Sequence, residues 1–445
     1  MNWIVSVTVG ATDQFKPEVK QDEIFLPIPL QNREHQMAVR ADVWERLRRA
    51  GLVLDETVED LLNLALAVFI ADLRSPRRQA YDAWTRGFDI YLPVLDLSTW
   101  KDATTTVETL LSFLTGDHWT LHLRKRGLVP TQERKTDASN DARQSPSIAC
   151  LFSGGLDSFV GAIDLLEERL DERVALVGFR GDPSTSKPQK DALDAITHKY
   201  GDRVDYHGLW AAPPLRTTEK KESSMRGRSF LFLSLGVAVA SAFSSDSPRS
   251  LYVPENGFIS LNVPLTPSRG GSLSTRTTHP YLVNLYRNLL EKLRIAVKLE
   301  TPYQFKTKGE LLSECKNREL LRKEFGRTMS CSHPGVGRYI GRSSKDPCGY
   351  CVPCLIRQAA VKAAGFPSES HYVFDVRHQR LDPKTKRGSD LRAVQMALER
   401  FGQVPAYRLS LEVLRAGPLP DLSKIVDYAF VFRRGLTEMA SFLKS

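Results

Sequence analysis

Apolar and polar residues follow three different patterns along the chain, and each pattern predicts a different kind of segment. The first 126 residues mix short apolar runs at 3–9 and 24–30 with two patterns of helical period at 41–50 and 57–73. The alternation Trp119-Thr-Leu-His-Leu closes this stretch and predicts a strand. We therefore expect an α/β accessory domain over residues 1–128.

A polar stretch follows the accessory domain. Residues 129–146 contain almost no apolar side chains and are rich in Ser, Thr, Asn, Asp and Pro. Such a composition cannot bury a core and is typical of a linker. We expect a domain boundary there.

From residue 147 onward, short apolar runs alternate with longer amphipathic ones. We predict strands at 148–152, 174–179, 204–209 and 251–254, and helices at 159–170, 189–200, 230–242 and 281–293. Strands spaced by helices predict βαβ units, and therefore an α/β fold with a parallel sheet and helices on both faces. This domain is expected at 147–325, followed by a region rich in Cys, Gly and Pro at 326–365 and a helical C-terminal extension at 366–445.

The composition excludes several classes of protein. Of 445 residues, 42% are hydrophobic and 26% are charged, which is ordinary for a globular protein and unlike a disordered one. The longest apolar runs, 61–70 and 231–243, are too short to cross a bilayer, and no secretory signal is recognisable at the N-terminus. We expect a cytoplasmic protein without membrane contacts. The net charge of +10 is compatible with nucleotides or nucleic acid and identifies neither.

The most informative segment is Ser153-Gly154-Gly155-Leu156-Asp157-Ser158, which lies between a predicted strand and a predicted amphipathic helix. Two glycines at such a turn let consecutive backbone N–H groups converge on an anion, and the helix N-terminus adds partial positive charge. The serine hydroxyls can donate to the same phosphate oxygens. Because a carboxylate does not favour bare phosphate, we assign Asp157 to Mg²⁺ or to orienting the loop. The plainer alternative is a tight turn with a capped helix.

The full six-residue string resembles the SGGxDS signature of the PP-loop ATP pyrophosphatases, whose fold is of the HUP or Rossmann-like type. The resemblance implies that ATP is cleaved between its α and β phosphates and that the substrate becomes an adenylate. All six residues, Ser153 to Ser158, would then hold ATP and pyrophosphate. Cations must stabilise the leaving pyrophosphate. Arg226 and Arg228 at a helix start are the main candidates, Lys187 is a weaker one, and family analogy places the adenine near Phe179. A solvated basic helix start is the alternative for the two arginines.

Four cysteines lie close together in a stretch rich in Gly and Pro. The spacing Cys331-x16-Cys348-x2-Cys351-x2-Cys354 suits a closed tetrahedral zinc site of a structural kind. An iron–sulfur cluster could use the same ligands, and apolar burial of free thiols is a third alternative. Cys150 and Cys315 are predicted to be packing residues.

An SGGxDS loop followed by four cysteines ending C-x-x-C-x-x-C is similar to the QueC-like family of 7-deazaguanine biosynthesis, over roughly residues 147–364. The resemblance implies ATP, Mg²⁺ and Zn²⁺ as cofactors, a 7-carboxy-7-deazaguanine-type substrate, and an amine that displaces AMP to give an amide. The extra N-terminal residues and the long C-terminal extension resemble the long QueC-like proteins of anti-phage defence operons, such as the QatC proteins of the Qat system and relatives in type IV CBASS. Other proteins of the same operon are therefore expected as partners and as a source of the amine.

The segment after the predicted strand at 251–254 departs from the family's usual acidic substrate motif. Glu255 would accept hydrogen bonds from a guanine-like N–H edge and Asn256 would read a neighbouring edge. Arg269 and Arg276 are candidate partners of the substrate carboxylate or the α-phosphate. His279 is a candidate proton acceptor, because the ordinary histidine pKa lies near the working pH. A capped loop ahead of the next helix is the structural alternative.

Two other functions stay open. One is a PP-loop enzyme that modifies tRNA; it fits the +10 charge but is not favoured, since most arginine clusters are solvated helix faces. The other is a non-catalytic nucleotide-binding subunit of a defence complex, which would have no need of Asp157.

Overall fold

The computed structural model describes residues 2–32, 34–127, 146–180, 183–214, 222–223, 226–243, 249–266, 276–341, 343, 346–368, 372–379, 381–385 and 387–444, without the side chains of 183–185. The predicted linker at 129–146 lies outside these ranges except for Pro146, and the candidate Arg269 also lies outside them.

The N-terminal unit is a four-stranded parallel sheet with two long helices. Its elements are β1 (Asn2–Val9), β2 (Glu23–Leu30), β3 (Arg40–Ala41), α1 (Val43–Arg49), α2 (Glu56–Arg74), β4 (Gly87–Val94), α3 (Leu97–Thr115) and β5 (His118–Lys125). The strand order is β2-β1-β4-β5. Alternate residues of β1, from Trp3 to Val9, join the core, as the two-residue period of a strand requires.

The second unit is a five-stranded sheet whose strands are also all parallel. Its elements are β6 (Ile148–Leu151), α4 (Leu156–Glu168), β7 (Val174–Phe179), α5 (Pro183–Tyr200), β8 (Val204–Leu209), β9 (Ala211–Ala212), α6 (Gly227–Ser241), β10 (Arg249–Tyr252), α7 (Gly257–Leu261), α8 (Pro280–Lys292) and β11 (Val297–Glu300). The order β11-β10-β6-β7-β8 puts the first strand in the middle. The chain leaves β6 toward β7 and returns later to β10 on its other side, so the topological switch point lies between β6 and β10. Open α/β sheets bind ligands at that point, at the carboxyl ends of the strands.

Helices dominate the remainder of the chain. They are α9 (Lys308–Ser313), α10 (Arg318–Glu324), α11 (Val352–Ala363), α12 (Gly388–Phe401), α13 (Ala406–Ala416) and α14 (Ile425–Leu443). Helices α11 to α14 share one hydrophobic core with α7 and with the four-cysteine region. None of the described helices combines the length and the apolarity that crossing a bilayer requires.

The two sheet-containing units share a single hydrophobic core. Helix α2 packs against α6, and α3 packs against α8. The core therefore runs from β1 and β4 of the first sheet to β6 and β10 of the second. The short strands β3 and β9 add an antiparallel link between the units.

Most predicted elements are present within a few residues, and the α/β class with parallel strands is confirmed. The sequence analysis gave no bounds for β4, β11, α3, α7, α9 or α10. A central run of three threonines, Thr104 to Thr106, weakens the helical signal of α3, because β-branched residues are poor helix formers. Burial of its apolar face, including Trp100 and Leu111, compensates for that weak propensity.

Candidate functional site

The glycine-rich loop lies at the carboxyl end of the central strand β6 and leads directly into α4. Gly154 has φ +80°, and a Cβ there would lie 2.5 Å from the Cα of Gln189, so both the backbone conformation and the space require glycine. The side-chain amide of Gln189 donates to the carbonyl of Phe152 at 2.7 Å. These contacts hold the loop against α5.

Several backbone amides of this loop are available to a ligand. Among the described residues, the N–H groups of Gly154, Asp157 and Ser158 have no hydrogen-bond acceptor. The Ser153 hydroxyl accepts from the Gly155 amide at 3.3 Å and lies 3.2 Å from the Ser158 hydroxyl. Ser153 is exposed. The Ser158 hydroxyl donates to the Gly155 carbonyl at 2.9 Å. Amides without partners at a helix N-terminus, beside the exposed Ser153 hydroxyl, are suited to binding an anion.

Asp157 joins the loop to the neighbouring strand β10. Its Oδ1 lies 2.7 Å from the Nζ of Lys308, and its Oδ2 accepts from the side-chain amide of Asn256 at 2.7 Å. Only 3% of Lys308 is exposed. This geometry agrees with the alternative that Asp157 orients the loop, and it places a buried cation beside it.

Sequence analysis did not identify Lys308. One signal for it was present: Thr307 and Glu310 form a capping box that begins α9, with the Thr307 hydroxyl accepting from the Glu310 amide and Glu310 from the Thr307 amide. That pattern fixes Lys308 as the first residue of a helix. It says nothing about the partner that the lysine meets, which lies about 150 residues earlier.

Glu255 follows β10 at the switch point and is half-buried. Its carboxylate accepts from the Thr278 hydroxyl. Burial, together with the nearby negative charge of Asp157, raises the pKa of Glu255 from its ordinary value of 4.5 to about 7, although the Thr278 hydroxyl and Lys308 act in the opposite direction. This carboxyl group is therefore poised to hold or release a proton near neutral pH.

Asn256 is fully buried and both ends of its side-chain amide are engaged. The nitrogen donates to Asp157, and the oxygen accepts from the Ile259 amide and so caps α7. The structure therefore gives Asn256 the task of holding the loop, whereas the sequence analysis assigned it to a substrate edge.

Arg228 and Lys187 lie on two different sides of the sheet's carboxyl edge. The guanidinium of Arg228 lies 5.6 Å from the ring centroid of Phe179, the last residue of β7. Lys187 is exposed and pairs with Asp191 at 2.7 Å. It borders a cleft of about 250 Å³ between α5 and the segment that precedes the cysteines, which includes Ser330.

Arg226, Arg276 and His279 lie at the seam between the two sheet-containing units. Arg226 is 6% exposed and donates to the carbonyl of Thr115 at 2.9 Å, while Arg276 donates to the carbonyl of Phe113 at 3.0 Å. Burial lowers the pKa of Arg226 to about 10. Both arginines thus bind the C-terminal end of α3, which differs from their expected contacts with phosphate and with the substrate carboxylate.

The structure gives His279 a helix-capping position, which differs from its expected role as a proton acceptor. His279 has no exposed surface, and its Nδ1 accepts from the Tyr281 amide at 3.2 Å, so it caps α8. Burial and the nearby Arg276 lower its pKa to about 3. A histidine so desolvated stays neutral at the working pH, because its cation would lose its hydration without gaining a partner.

The four sulfur atoms of Cys331, Cys348, Cys351 and Cys354 lie within 4.8 Å of one another. Sγ–Sγ distances are 3.9 Å between Cys348 and Cys354 and 4.0 Å between Cys331 and Cys351. Zn–S bonds of about 2.3 Å in a tetrahedron require about 3.8 Å. The four cysteines can therefore hold a single metal ion such as zinc. Their sulfur atoms lie closer together than the ligands of an iron–sulfur cluster with several irons would lie. Backbone amides of Ser332 and Cys351 donate to the sulfurs, as they do around bound thiolates.

The cysteine region is connected to the glycine-rich loop. The Met329 amide donates to the carbonyl of Gly154 at 3.0 Å, and the Leu156 amide approaches the Ser330 hydroxyl at 3.5 Å. Since Ser330 precedes the first cysteine, a metal ion at the cluster would fix one wall of the loop. The structure thus brings together Ser153 to Ser158, Glu255 and Asn256, adds Lys308 to them, and connects them to the cysteines.

Comparison with known proteins provides no further support for these roles. No protein-family model matches the chain, and no curated protein matches it either.

Proposed function

We propose that the chain is an ATP-dependent adenylating enzyme of the QueC-like type, a C–N ligase that converts ATP to AMP and pyrophosphate. One observation carries the proposal: loop amides without partners, the exposed hydroxyl of Ser153 and a buried lysine–aspartate pair meet at the switch point of a parallel sheet. A tight turn alone does not need Asp157 to be held by residues from two distant segments.

The residues of the loop have distinct tasks in the proposed reaction. The amides of Gly154, Asp157 and Ser158 and the hydroxyl of Ser153 would hold the β and γ phosphates. Mg²⁺, bound with ATP, would supply charge to the leaving pyrophosphate. Asp157, held by Lys308 and Asn256, keeps the first turn of α4 in the geometry that presents those amides. Pre-oriented donors of this kind stabilise charge that develops in the transition state.

Glu255 supports a purine-like substrate beside the loop. A carboxylate at the carboxyl end of β10 can accept two N–H groups of a guanine-type edge, as carboxylates do when they read bases. The proposed substrate is a 7-carboxy-7-deazaguanine-type acid, whose carboxylate oxygen attacks the α-phosphorus. An amine, on a partner protein of the same defence operon, would then displace AMP and form an amide.

The first experiment measures AMP and pyrophosphate released from ATP, Mg²⁺ and 7-carboxy-7-deazaguanine, with and without co-expressed partner proteins. We expect release by the natural chain and none by Asp157→Asn. The control is Asp202→Asn, an exposed residue at the amino end of the sheet, which should behave like the natural chain. No AMP even with the partners present would favour the non-catalytic subunit.

A second measurement separates the RNA alternative. Adenylation that requires RNA and weakens steeply with salt would favour a tRNA-modifying enzyme, since phosphate contacts release counterions. Binding of a small purine should barely respond to salt. Intact-mass spectrometry of the partner proteins would identify the acceptor through a covalent mass increase.

A further inference from the structure

The first turn of α6 is built against the N-terminal unit. The Gly227 amide donates to the Oδ2 of Asp72 at 2.9 Å. A Cβ on Gly227 would lie 3.2 Å from the carbonyl oxygen of Val68 and 3.3 Å from the Cα of Phe69. The backbones of α6 and α2 are therefore in direct contact, and α2 determines where α6 begins.

The residue before Gly227 strengthens this connection. Arg226 donates to the Thr115 carbonyl at 2.9 Å, and its guanidinium lies 5.1 Å from the ring centroid of Trp84. Arg77 lies over the same ring at 4.7 Å. A half-buried tryptophan of the N-terminal unit thus packs against the arginine that enters α6.

A buried charge network holds Asp72 in position. Its Oδ1 pairs with Arg86 at 2.6 Å, and Arg86 pairs with Asp117 at 2.7 Å. Arg77 completes the network with a 2.9 Å pair to Asp117. Since all four side chains are at least 95% buried, the network tolerates little displacement.

Arg228 follows directly and leaves this seam toward the sheet. Its guanidinium lies over Phe179 at the carboxyl end of β7, and Phe179 packs edge-on against Phe69 of α2 at 5.5 Å. Helix α2 therefore contacts both the backbone next to Arg228, at Gly227, and the Phe179 ring beneath the Arg228 guanidinium.

We infer that the N-terminal unit is a structural part of the nucleotide site: Trp84 and Asp72 are positioning residues that set Arg228 for binding the phosphates of ATP. This inference rests on the proposed function and extends it, because it gives residues 1–127 a task in ATP binding. It also gives Arg226 a structural role at the seam between the two units and gives Arg228 the contact with the phosphates.

The test measures the Kd of the full chain for the α,β-methylene analogue of ATP with Mg²⁺ by calorimetry. Arg228→Ala should raise the Kd about 10- to 100-fold, since charged hydrogen bonds to phosphate are lost. Trp84→Leu should raise the Kd about 3- to 10-fold. Trp84→Phe keeps an aromatic ring and should therefore retain most of the affinity of the natural chain. Tyr81→Ala, three residues away and 99% exposed, is the matched control and should bind normally.

The double variant decides whether Trp84 acts through Arg228. In the Arg228→Ala background, Trp84→Leu should cause no further loss of affinity. An equal loss in both backgrounds, or no loss in either, would overturn the inference. If Trp84→Leu does not fold, Gly227→Ala replaces it, with Gly127→Ala as control because its added methyl meets nothing within 4 Å.

The outcome separates the inference from the proposed function. If the natural chain does not bind the analogue, or if Asp157→Asn turns over normally, the proposed function fails. If binding and Asp157 dependence hold while Arg228→Ala binds normally, only the inference about the N-terminal unit fails.

Discussion

Replacing Lys308 by methionine tests the central pair of the site. The side chain is 3% exposed, and its Nζ lies 2.7 Å from Asp157. Methionine keeps the length of the stem and removes the charge, so Asp157 stays buried with only Asn256 as a side-chain donor. Removing one partner of a buried ion pair costs about 3–5 kcal/mol. Because the Asn256 amide remains, we expect a loss of about 2–4 kcal/mol in the free energy of unfolding.

The double variant Lys308→Met with Asp157→Asn should recover at least half of that loss. Neutral partners avoid the cost of an uncompensated buried charge, so the two substitutions should not be additive. Urea unfolding followed by both tryptophan fluorescence and circular dichroism measures the difference. Lys316→Met is the control, because that lysine is exposed in its pair with Glu168 and should cause no measurable change.

The same variants separate stability from chemistry. Each single variant and the double variant should fail to release AMP, although the double variant is well folded. A change of less than about 0.5 kcal/mol for Lys308→Met, or strictly additive losses in the double variant, would refute the assignment of a buried ion pair.

Three further outcomes are expected. The purified chain should contain about one zinc ion per chain by mass spectrometry of the metals, and Cys351→Ser should lose it while Cys150→Ala keeps it; iron with acid-labile sulfide would contradict this. The pKa of Glu255 is raised from 4.5 to about 7, so between these two pH values the native state binds more protons than the unfolded state. The stability that the protonated Glu255 carboxyl group contributes is therefore lost as the pH rises through 7. Glu255→Gln should therefore be about 1–2 kcal/mol more stable than the natural chain at pH 8 and show little difference at pH 4, and an equal difference at both pH values would argue against the shift. His279→Ala should lower the free energy of unfolding by about 1–3 kcal/mol, because it removes the cap of α8 and leaves a cavity. It should leave the pH dependence of AMP release unchanged. If the pH profile of AMP release lost a transition near pH 6–7 in this variant, His279 would have the catalytic role expected from the sequence.

Local spacing was sufficient to predict much of the molecule. The SGGLDS string and the four cysteines each bring their groups together within a few residues of chain or one return loop, so their geometry follows from short segments. Strands β6, β7, β8 and β10 and helices α4, α5, α6 and α8 were also predictable, since a buried face repeats with a regular period. Helix α3 was not predicted, because its threonines have low helix propensity and weaken the periodic pattern.

Contacts between distant segments decided the rest. Strand order puts β10 beside β6, and only that order brings Asn256 and Lys308 to Asp157. Packing between the two units also buries His279 and Arg226. His279 caps α8 as a neutral imidazole, and Arg226 connects the units through its hydrogen bond to the Thr115 carbonyl. The sequence by itself determined the α/β class, the glycine-rich turn after β6 and the four-cysteine cluster, because these depend on neighbours in the chain. The tertiary structure determined partners and protonation, because desolvation and pairing depend on neighbours in space.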